Sequence, residues 1–308
     1  MIFRIDKTFT GKLSSQERSE FYCDIIGHGH YADCDDNVRD GFYADIEANG
    51  STLQRDMAKK DPSLKLTTRM RNFLTTIDVG QFTMDQLKLL TCRQAKLLVE
   101  NEGYERPVYE DMIGVYAKSD RSYRSMFIKL NQALNDGMLT FQNGGGHGNY
   151  VSLLESFNEH DYRDVVDWKF CSLVDRDTEN NLAFDANKNS FFRHMCGRDN
   201  TSLCDADIYS LSQSPRIWHM WYRRAIENYF PNKQFRYAKV DLKTMPSVPA
   251  DRNYKDLGSM NGYAKHKLPK LTTNMAYADY EHGLVHFQTT MGNVSELQLF
   301  LLKILRII

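Results

Sequence analysis

Two short stretches decide the fold, KLLVE at residues 96–100 and FCSLVDRD at residues 170–177. Each is a brief apolar run that ends in acidic residues. Apolar runs of this length are typical of strands that are buried on both faces of a parallel sheet. Ligands of open parallel sheets bind at the carboxyl ends of the strands, which is where Glu100, Asp175 and Asp177 fall. The two stretches therefore predict both the class of fold and the position of a site.

The surrounding segments alternate between strand and helix patterns. The expected elements are a helix near Pro107, a strand at residues 138–141, a helix at 150–157, a strand at 168–174, short strands at 208–211 and 217–222, and a helix starting at 225–229. Strands that alternate with helices predict parallel β-α-β units. We therefore expect an α/β core domain over residues 94–245, with a mostly parallel sheet flanked by helices.

The two ends of the chain have different patterns. Residues 14–26 and 53–90 are rich in helix formers and are separated by a turn-rich acidic stretch, so residues 1–93 are expected to form a helical N-terminal module. Residues 246–308 form a mixed, basic C-terminal segment that ends in an apolar helix at 296–308. Such a helix is typical of a core, and an oligomer interface, for example of a homodimer, would have the same pattern.

Composition excludes several classes of protein. With 42% hydrophobic and 26% charged residues over 308 positions, the chain has a globular balance and is not a disordered or collagen-like polymer. No apolar run approaches the roughly 20 residues needed to span a bilayer, and the first residues lack a signal-peptide pattern. The six cysteines show no paired spacing, which argues against a disulfide scaffold or a zinc ribbon. We expect a cytoplasmic protein with reduced thiols and no membrane contact.

Charge is distributed unevenly along the chain. Residues 96–215 carry a net charge of −7, whereas residues 216–308 carry +7. Either these are two solvated faces, or acids gather around cations while a neighbouring basic surface binds a polyanion. Aromatic residues are interleaved with the basic ones in residues 216–270, a mixture that suits nucleic acid. The candidate nucleic-acid-binding residues are Arg216, Arg223, Arg224, Lys233 and Arg236.

The acids at the strand ends suit a hard divalent cation. Magnesium is bound by a few carboxylates while it keeps waters and substrate phosphate oxygens. Two such ions about 4 Å apart can clamp the attacking and leaving oxygens of a phosphodiester. Glu100, Asp175 and Asp177 are therefore candidate ligands for Mg²⁺ or Mn²⁺, although a DxD pair also occurs on ordinary surface loops.

Four segments in order resemble the topoisomerase–primase (TOPRIM) domain family, most closely the branch found in OLD-family nucleases and bacterial anti-phage proteins. The segments are LLVENEGYERPVYEDMI (97–113), NGGGHGNYVSLLESF (143–157), FCSLVDRDTEN (170–180) and WYRRAIENYFP (221–231). The resemblance covers about residues 96–231. It implies a TOPRIM-like core whose metal-binding glutamate is Glu100 and whose aspartate pair is Asp175 and Asp177.

The first motif departs from the pattern of the family. The usual form is VEGxxD or VEGxxE, but Asn101 replaces the glycine and Tyr104 stands where the second acid is expected. Glu105, one position later, is the second acid if one residue has been inserted. Glu102 is the substitute.

The resemblance also implies roles for residues farther along the chain. Glu227 either completes the metal shell or pairs with a neighbouring arginine beneath the site. Relatives use a lysine downstream of the domain to stabilise charge at the scissile phosphate, a role for which Lys265 and Lys267 are the candidates. Both lysines also fit ordinary surface positions.

Two glycine-rich and histidine-containing stretches complete the set of motifs. NGGGHG at residues 143–148 lacks the Lys-Ser/Thr ending of a P-loop, so ATP binding is not expected, and a structural turn is favoured over a substrate contact by His147. GHGH at residues 27–30, near Cys23, Asp33 and Cys34, matches no zinc pattern and is interpreted as an ordinary loop.

The resulting hypothesis is a divalent-metal-dependent nuclease that acts on DNA or RNA. The resemblance implies the effector of an anti-phage defence system, controlled by a separate ATPase or sensor protein. One alternative is a phosphotransferase of the haloacid-dehalogenase type, which would use Asp175 as nucleophile and would not need Glu100. The other is a catalytically silent scaffold that binds nucleic acid or a partner, which the substitution at Tyr104 favours.

Overall fold

The structure, a computed structural model, describes residues 1–180, 185–213, 215–243, 245–246, 252–289 and 292–308, and only the backbone of residues 200 and 259. Its strands are β1 (Ile2–Arg4), β2 (Tyr31–Asp33), β3 (Thr76–Asp78), β4 (Ala95–Val99), β5 (Leu139–Asn143), β6 (Phe170–Val174), β7 (Ile217–Met220), β8 (His286–Thr289) and β9 (Gly292–Ser295). Parallel strands and helices alternate over most of this length.

Helices connect these strands. They are α1 (Lys7–Thr10), α2 (Ser15–Gly27), α3 (Asp36–Asn49), α4 (Thr52–Ala58), α5 (Thr68–Phe73), α6 (Met84–Cys92), α7 (Glu102–Ser119), α8 (Arg124–Asn135), α9 (Tyr150–Glu159), α10 (Val166–Lys169), α11 (Asn189–Cys196), α12 (Asp205–Ile208), α13 (Asn232–Tyr237), a short helix Tyr277–Tyr280 and the C-terminal helix Glu296–Leu305. Two 3₁₀ helices, Ile226–Tyr229 and Lys265–Thr272, matter for the site.

The central sheet has the strand order β5-β4-β6-β7, and every neighbouring pair is parallel. This confirms the predicted α/β class, with a parallel sheet flanked by helices. The apolar runs form β4 and β6, whose residues are almost all buried, as expected for strands covered on both faces. Because β4 and β6 are direct neighbours, Glu100 and Asp175 leave the same edge of the sheet side by side.

The prediction of a helical module over residues 1–93 missed three short strands. A second parallel sheet, with the order β2-β1-β3, lies within this region. Its strands are only three residues long and stand among strong helix formers, so no two-residue alternation is long enough to be recognised. The helices on either side of these strands, including α2 with its Ser14 capping box, agree with the prediction.

Two further local predictions are corrected by the structure. Residues 208–211 are not a strand, because α12 ends at Ile208 and a turn follows. Ile208 and Leu211 are both buried, so their apolar character comes from packing and not from a strand. Residues 226–229 form a 3₁₀ helix and not the start of an α-helix.

The C-terminal helix Glu296–Leu305 belongs to the core. All ten of its residues are buried, and it packs against α8 and β7. Even Lys303 is enclosed, where its ammonium group donates hydrogen bonds to the carbonyl oxygens of Ile208 and Trp218. The apolar pattern is therefore explained by burial within the chain. None of the described helices is both long and apolar enough to cross a bilayer.

Candidate metal centre

Glu100 follows β4 at the edge of the central sheet, and its carboxylate is surrounded by groups from separate parts of the chain. Oxygen Oε1 is buried and has no hydrogen-bond partner among the described residues. Two basic groups lie close to it, Nδ1 of His147 at 3.7 Å from Oε1 and Nζ of Lys265 at 4.0 Å from Oε2. A buried carboxylate oxygen without a hydrogen bond is costly, so its presence calls for an explanation.

The DRD sequence after β6 divides its side chains between the site and the core. Arg176 is fully buried, and its guanidinium donates hydrogen bonds to the Trp221 carbonyl and the Tyr209 hydroxyl in the core. Asp175 and Asp177 contribute to the acid cluster instead. The backbone N–H groups of Arg176 and Asp177 both donate to the carbonyl of Arg224 after β7. Lys188 donates to the Asp175 carbonyl and, at 2.5 Å, to Oδ2 of Asp177. These bonds hold Asp177 in a left-handed backbone conformation, with φ of 59°.

Glu105 occupies the position of the second acid. It lies on the inner face of α7 with 5% exposure, and the backbone of Asn101 is a hydrogen-bond partner of its carboxylate. Burial, reinforced by repulsion from Glu100 and Glu227, raises the pKa of Glu105 to about 8 even though Lys265 opposes this shift. Glu102 instead lies 3.5 Å from Arg106 on the outer face of the same helix. Glu105, and not its substitute Glu102, therefore lies among the acids at the carboxyl ends of the strands.

Glu227 approaches the same edge from the 3₁₀ helix that follows β7. Its side chain is buried, and Oε1 accepts a hydrogen bond of 3.0 Å from the Tyr263 hydroxyl. Burial is the main cause that raises its pKa. Within the described residues Glu227 makes no ion pair with an arginine, because Arg223 donates to the carbonyls of Asn228 and Gly283. The carboxylate of Glu227 therefore belongs with the acid cluster.

Asp175 is the most enclosed acid of the DRD pair. It has 8% exposure, and no hydrogen bond to its carboxylate is found among the described residues. Burial, followed by repulsion from Glu100, Glu227 and Glu105, raises its pKa well above the ordinary value. Several unpaired acids so close together are unfavourable at neutral pH unless positive charge enters the site.

Of the two candidate lysines, Lys265 reaches the acids and Lys267 does not. Partial burial lowers the pKa of Lys265, but attraction to Asp175, Glu227 and the other acids outweighs this effect and raises it above the ordinary value. Its side chain remains 48% exposed at the mouth of the cluster. The ammonium group of Lys267 donates to the carbonyl of Gly262, so the structure does not bring it into the site.

Two of the candidate nucleic-acid-binding residues have other roles in the structure. Arg216 precedes β7 and therefore lies at the opposite edge of the sheet from the acids, where it pairs with Asp167 at 2.8 Å. Arg223 is buried beneath the surface, with its guanidinium over the ring of Tyr229. Neither residue offers a cation beside the acid cluster.

The other three basic candidates lie at or near the surface. Arg224 follows β7 and is half-buried, close to the Asp177 backbone that it anchors. Lys233 and Arg236 are exposed on α13, and Lys233 pairs with Asp279 at 2.5 Å. Helix α13 packs against the 3₁₀ helix that carries Lys265, which places this basic surface next to the candidate site.

Donor atoms also come together in the region of the GHGH motif, where His28 is the member that was considered from sequence. One ligand atom each from Asp24, His28 and Cys92 lies within 4.8 Å of the others. Cys23 and Cys34 are not members of this group. The sequence gives no sign of the cluster, because Asp24 lies in α2, His28 follows that helix directly, and Cys92 comes from the distant α6.

Sequence reasoning missed three side chains that shape the site. Lys188 binds Asp177, Tyr263 binds Glu227, and His147 joins Glu100 and Asp177 in a group whose ligand atoms all lie within 4.8 Å of one another. Lys188 and Tyr263 come from segments without a recognisable motif. His147 was weighed only as a substrate contact, although its place in a turn after β5 puts it at the same sheet edge.

The assembled site therefore has five acids, one lysine at its mouth and one imidazole. No family model matches this chain, and neither a curated protein nor a solved structure matches it. Relatives contribute nothing to the assignment of the site, which rests on its own geometry.

Proposed function

We propose that this protein is a divalent-metal-dependent nuclease with a TOPRIM-like catalytic core. The observation that carries the proposal is the convergence of acids from three separate segments at one sheet edge, with Lys265 beside them. The acids are Glu100, Glu105, Asp175, Asp177 and Glu227. Oxygen-rich sites of this kind suit Mg²⁺ or Mn²⁺ and are used for phosphodiester chemistry.

The residues fit a cation on grounds of charge and of hydrogen bonding. Oε1 of Glu100 is buried without a hydrogen bond among the described residues, and the buried Asp175 carboxylate likewise has none. A divalent ion would supply the missing partner and offset the mutual repulsion that raises the pKa values of Glu105 and Asp175. When bound, such ions polarise phosphoryl oxygens and activate water for attack on phosphorus.

The side chains of the protein would do the remaining work. Lys265 stays protonated because the acids raise its pKa, so its ammonium group is available to stabilise negative charge that develops on a phosphate. Lys188 fixes the orientation of Asp177 by binding one of its oxygens and the neighbouring backbone carbonyl. Positioning of this kind lowers the cost of assembling the reacting groups.

The neighbouring basic surface supports a polyanionic substrate. Arg224, Lys233 and Arg236 lie on the segment that leads from β7 to α13, beside the element that carries Lys265. They can neutralise phosphates on either side of a cleaved bond. We extend the proposal to a cytoplasmic effector of an anti-phage defence system that is controlled by a separate ATPase or sensor protein.

Incubation of the purified chain with plasmid, single-stranded DNA, total RNA and tRNA, in the presence of Mg²⁺ or Mn²⁺, tests the proposal. We expect cleavage of at least one substrate that requires the metal and is abolished in Glu100→Gln. Glu102→Gln is the matched control, because Glu102 is an acid of the same segment that faces Arg106 outside the site. Full activity of Glu100→Gln would favour the phosphotransferase alternative.

A second comparison separates a nuclease from a silent scaffold. A scaffold would bind the nucleic acids without cleaving any of them, and Asp175→Ala would leave that binding unchanged. Binding without cleavage under every metal condition would therefore contradict the proposal.

A further inference from the structure

His147 lies where a ligand of the proposed metal centre is needed. One of its ring nitrogens, an oxygen of Glu100 and an oxygen of Asp177 form a group of donor atoms within 4.8 Å of one another. Donor atoms on one ion at about 2.1 Å lie roughly 3 to 4.2 Å apart. The 3.7 Å between Nδ1 of His147 and Oε1 of Glu100 falls in this range and is too long for a hydrogen bond.

None of these donor atoms is fully occupied by the protein. The ring of His147 makes no hydrogen bond with the described residues, although it is only 23% exposed. Oε1 of Glu100 is buried and unpartnered among those residues. Lys188 binds Oδ2 of Asp177, which leaves Oδ1 available. Donor atoms from three residues that lie this close together, two of them on side chains with an unbonded imidazole or buried oxygen, indicate a common partner.

The glycine turn explains how the imidazole reaches this position. The backbone N–H of Gly144 donates to the carbonyl of Val99, which ties the turn to the end of β4 just before Glu100. A side chain at Gly144 would collide with the ring of Tyr150, whose hydroxyl is bonded to the backbone of β6. Gly146, with φ of 98°, then directs the chain back towards the sheet edge.

We propose that His147 is a ligand of this metal centre, together with Glu100 and Asp177, and that it makes the site select Mn²⁺ over Mg²⁺. This inference rests on the proposed function for the existence of the centre. Mg²⁺ prefers oxygen ligands and keeps its waters, whereas first-row transition-metal ions also accept imidazole nitrogen. A centre built from acids alone would not discriminate in this way.

Electron paramagnetic resonance with Mn²⁺ as the probe tests the ligand directly. Electron-spin-echo spectra of the full chain with Mn²⁺ should show hyperfine coupling to a ligand nitrogen. That coupling should disappear in His147→Gln, which keeps a polar side chain but replaces the imidazole. His28→Gln is the matched control, because His28 belongs to the separate group with Asp24 and Cys92, and the coupling should persist there.

Competition between the two ions tests the selectivity. We expect His147→Gln to weaken Mn²⁺ binding by about tenfold or more while Mg²⁺ binding is unchanged, so that the ratio of the two affinities falls. Circular dichroism of the variant should match that of the parent protein.

Several results would overturn the inference. They are the absence of nitrogen coupling in the parent chain, its persistence in His147→Gln, its loss in His28→Gln, or equal changes in Mn²⁺ and Mg²⁺ affinity. Failure of the nuclease proposal would look different. In that case nitrogen coupling from His147 would be present, and no nucleic acid would be cleaved in the presence of the bound ion.

Discussion

The two parallel sheets of this protein both end in acids, but only the central sheet leaves some of those acids, Glu100 and Asp175, buried without a hydrogen bond from the described residues to Oε1 of Glu100 or to the Asp175 carboxylate. In the N-terminal sheet, Asp6 and Asp78 accept hydrogen bonds from the backbone N–H groups of Phe9 and Gly80, and Asp33 pairs with Arg71. The central sheet instead collects acids that are buried and mutually repulsive.

The difference shows that an acid at a strand end is not in itself a sign of a metal centre. The N-terminal acids serve as helix caps or ion-pair partners and need no cation. At the central sheet, neighbouring strand ends converge, and Oε1 of Glu100 and the Asp175 carboxylate receive no comparable bonds from the described residues. What distinguishes a candidate site is the lack of partners, and a substitution in one sheet can serve as the control for the other.

The largest contrast is expected in metal-dependent cleavage. Asp175→Ala should reduce the rate on the order of 10³-fold, because loss of a metal ligand removes several kcal/mol of transition-state stabilisation. Asp33→Asn, in the other sheet, should cleave at the rate of the parent protein. Initial rates on whichever substrate the cleavage panel identifies provide the measurement, and a comparable loss in both variants would remove the distinction between the sheets.

A smaller loss is expected from the cation at the mouth of the site. Lys265→Ala should lower the cleavage rate by about 10²-fold, since it removes the charged donor that the proposed function assigns to the scissile phosphate. Lys267→Ala should have little effect, because the ammonium group of Lys267 is bonded to the Gly262 carbonyl outside the site. Equal effects of the two substitutions would assign both lysines to general attraction of the substrate.

Stabilisation by metal should depend on pH. The pKa of Glu105 is raised from 4.5 to about 8 in the folded chain, so the metal-free protein loses stability as pH rises through this interval. A cation competes with those protons and removes the repulsion. At a Mn²⁺ concentration of about 100 times Kd the gain is about 2.7 kcal/mol, and the increase in Tm should be larger at pH 8 than at pH 6. An increase in Tm that is the same at both pH values would show that metal binding is not coupled to protonation of these acids.

The smallest expected effects are on stability without metal, where the two sheets should respond with opposite signs. Glu105→Gln should stabilise the metal-free protein at high pH by about 1 to 2 kcal/mol, because it removes a buried charge that neighbouring acids repel. Asp33→Asn should destabilise it by at most about 1 kcal/mol, through loss of a half-exposed ion pair with Arg71. Urea unfolding of both variants without divalent ions measures this contrast, and destabilisation by Glu105→Gln would contradict it.

Parts of the candidate site could be predicted from local patterns. Glu100, Asp175 and Asp177 follow apolar runs that are recognisable as buried strands, and parallel strands bring their carboxyl ends to one edge. The choice of Glu105 over Glu102 could not be made in this way, because it depends on which face of α7 is turned inward. The same is true of Lys265 and Lys267, which differ by only two positions.

The N-terminal sheet could not be predicted because its pairing is entirely between distant segments. Strands of three residues carry too little pattern, and β1 is completed by β2 and β3, which lie far along the chain. Buried Lys303 illustrates the same limit in the C-terminal helix. Its charge predicts a surface position, but its ammonium group is buried and donates hydrogen bonds to the carbonyls of Ile208 and Trp218.

The amino-acid sequence by itself determined the α/β class, the central strands and the acids that follow them. Strand burial and helix periodicity both follow from the pattern of apolar and polar residues along a short stretch of chain. Only the tertiary structure decided which acids lack partners, which lysine faces them and that an imidazole joins them. Those properties depend on distances between side chains from separate segments, and such distances exist only once the strands have paired.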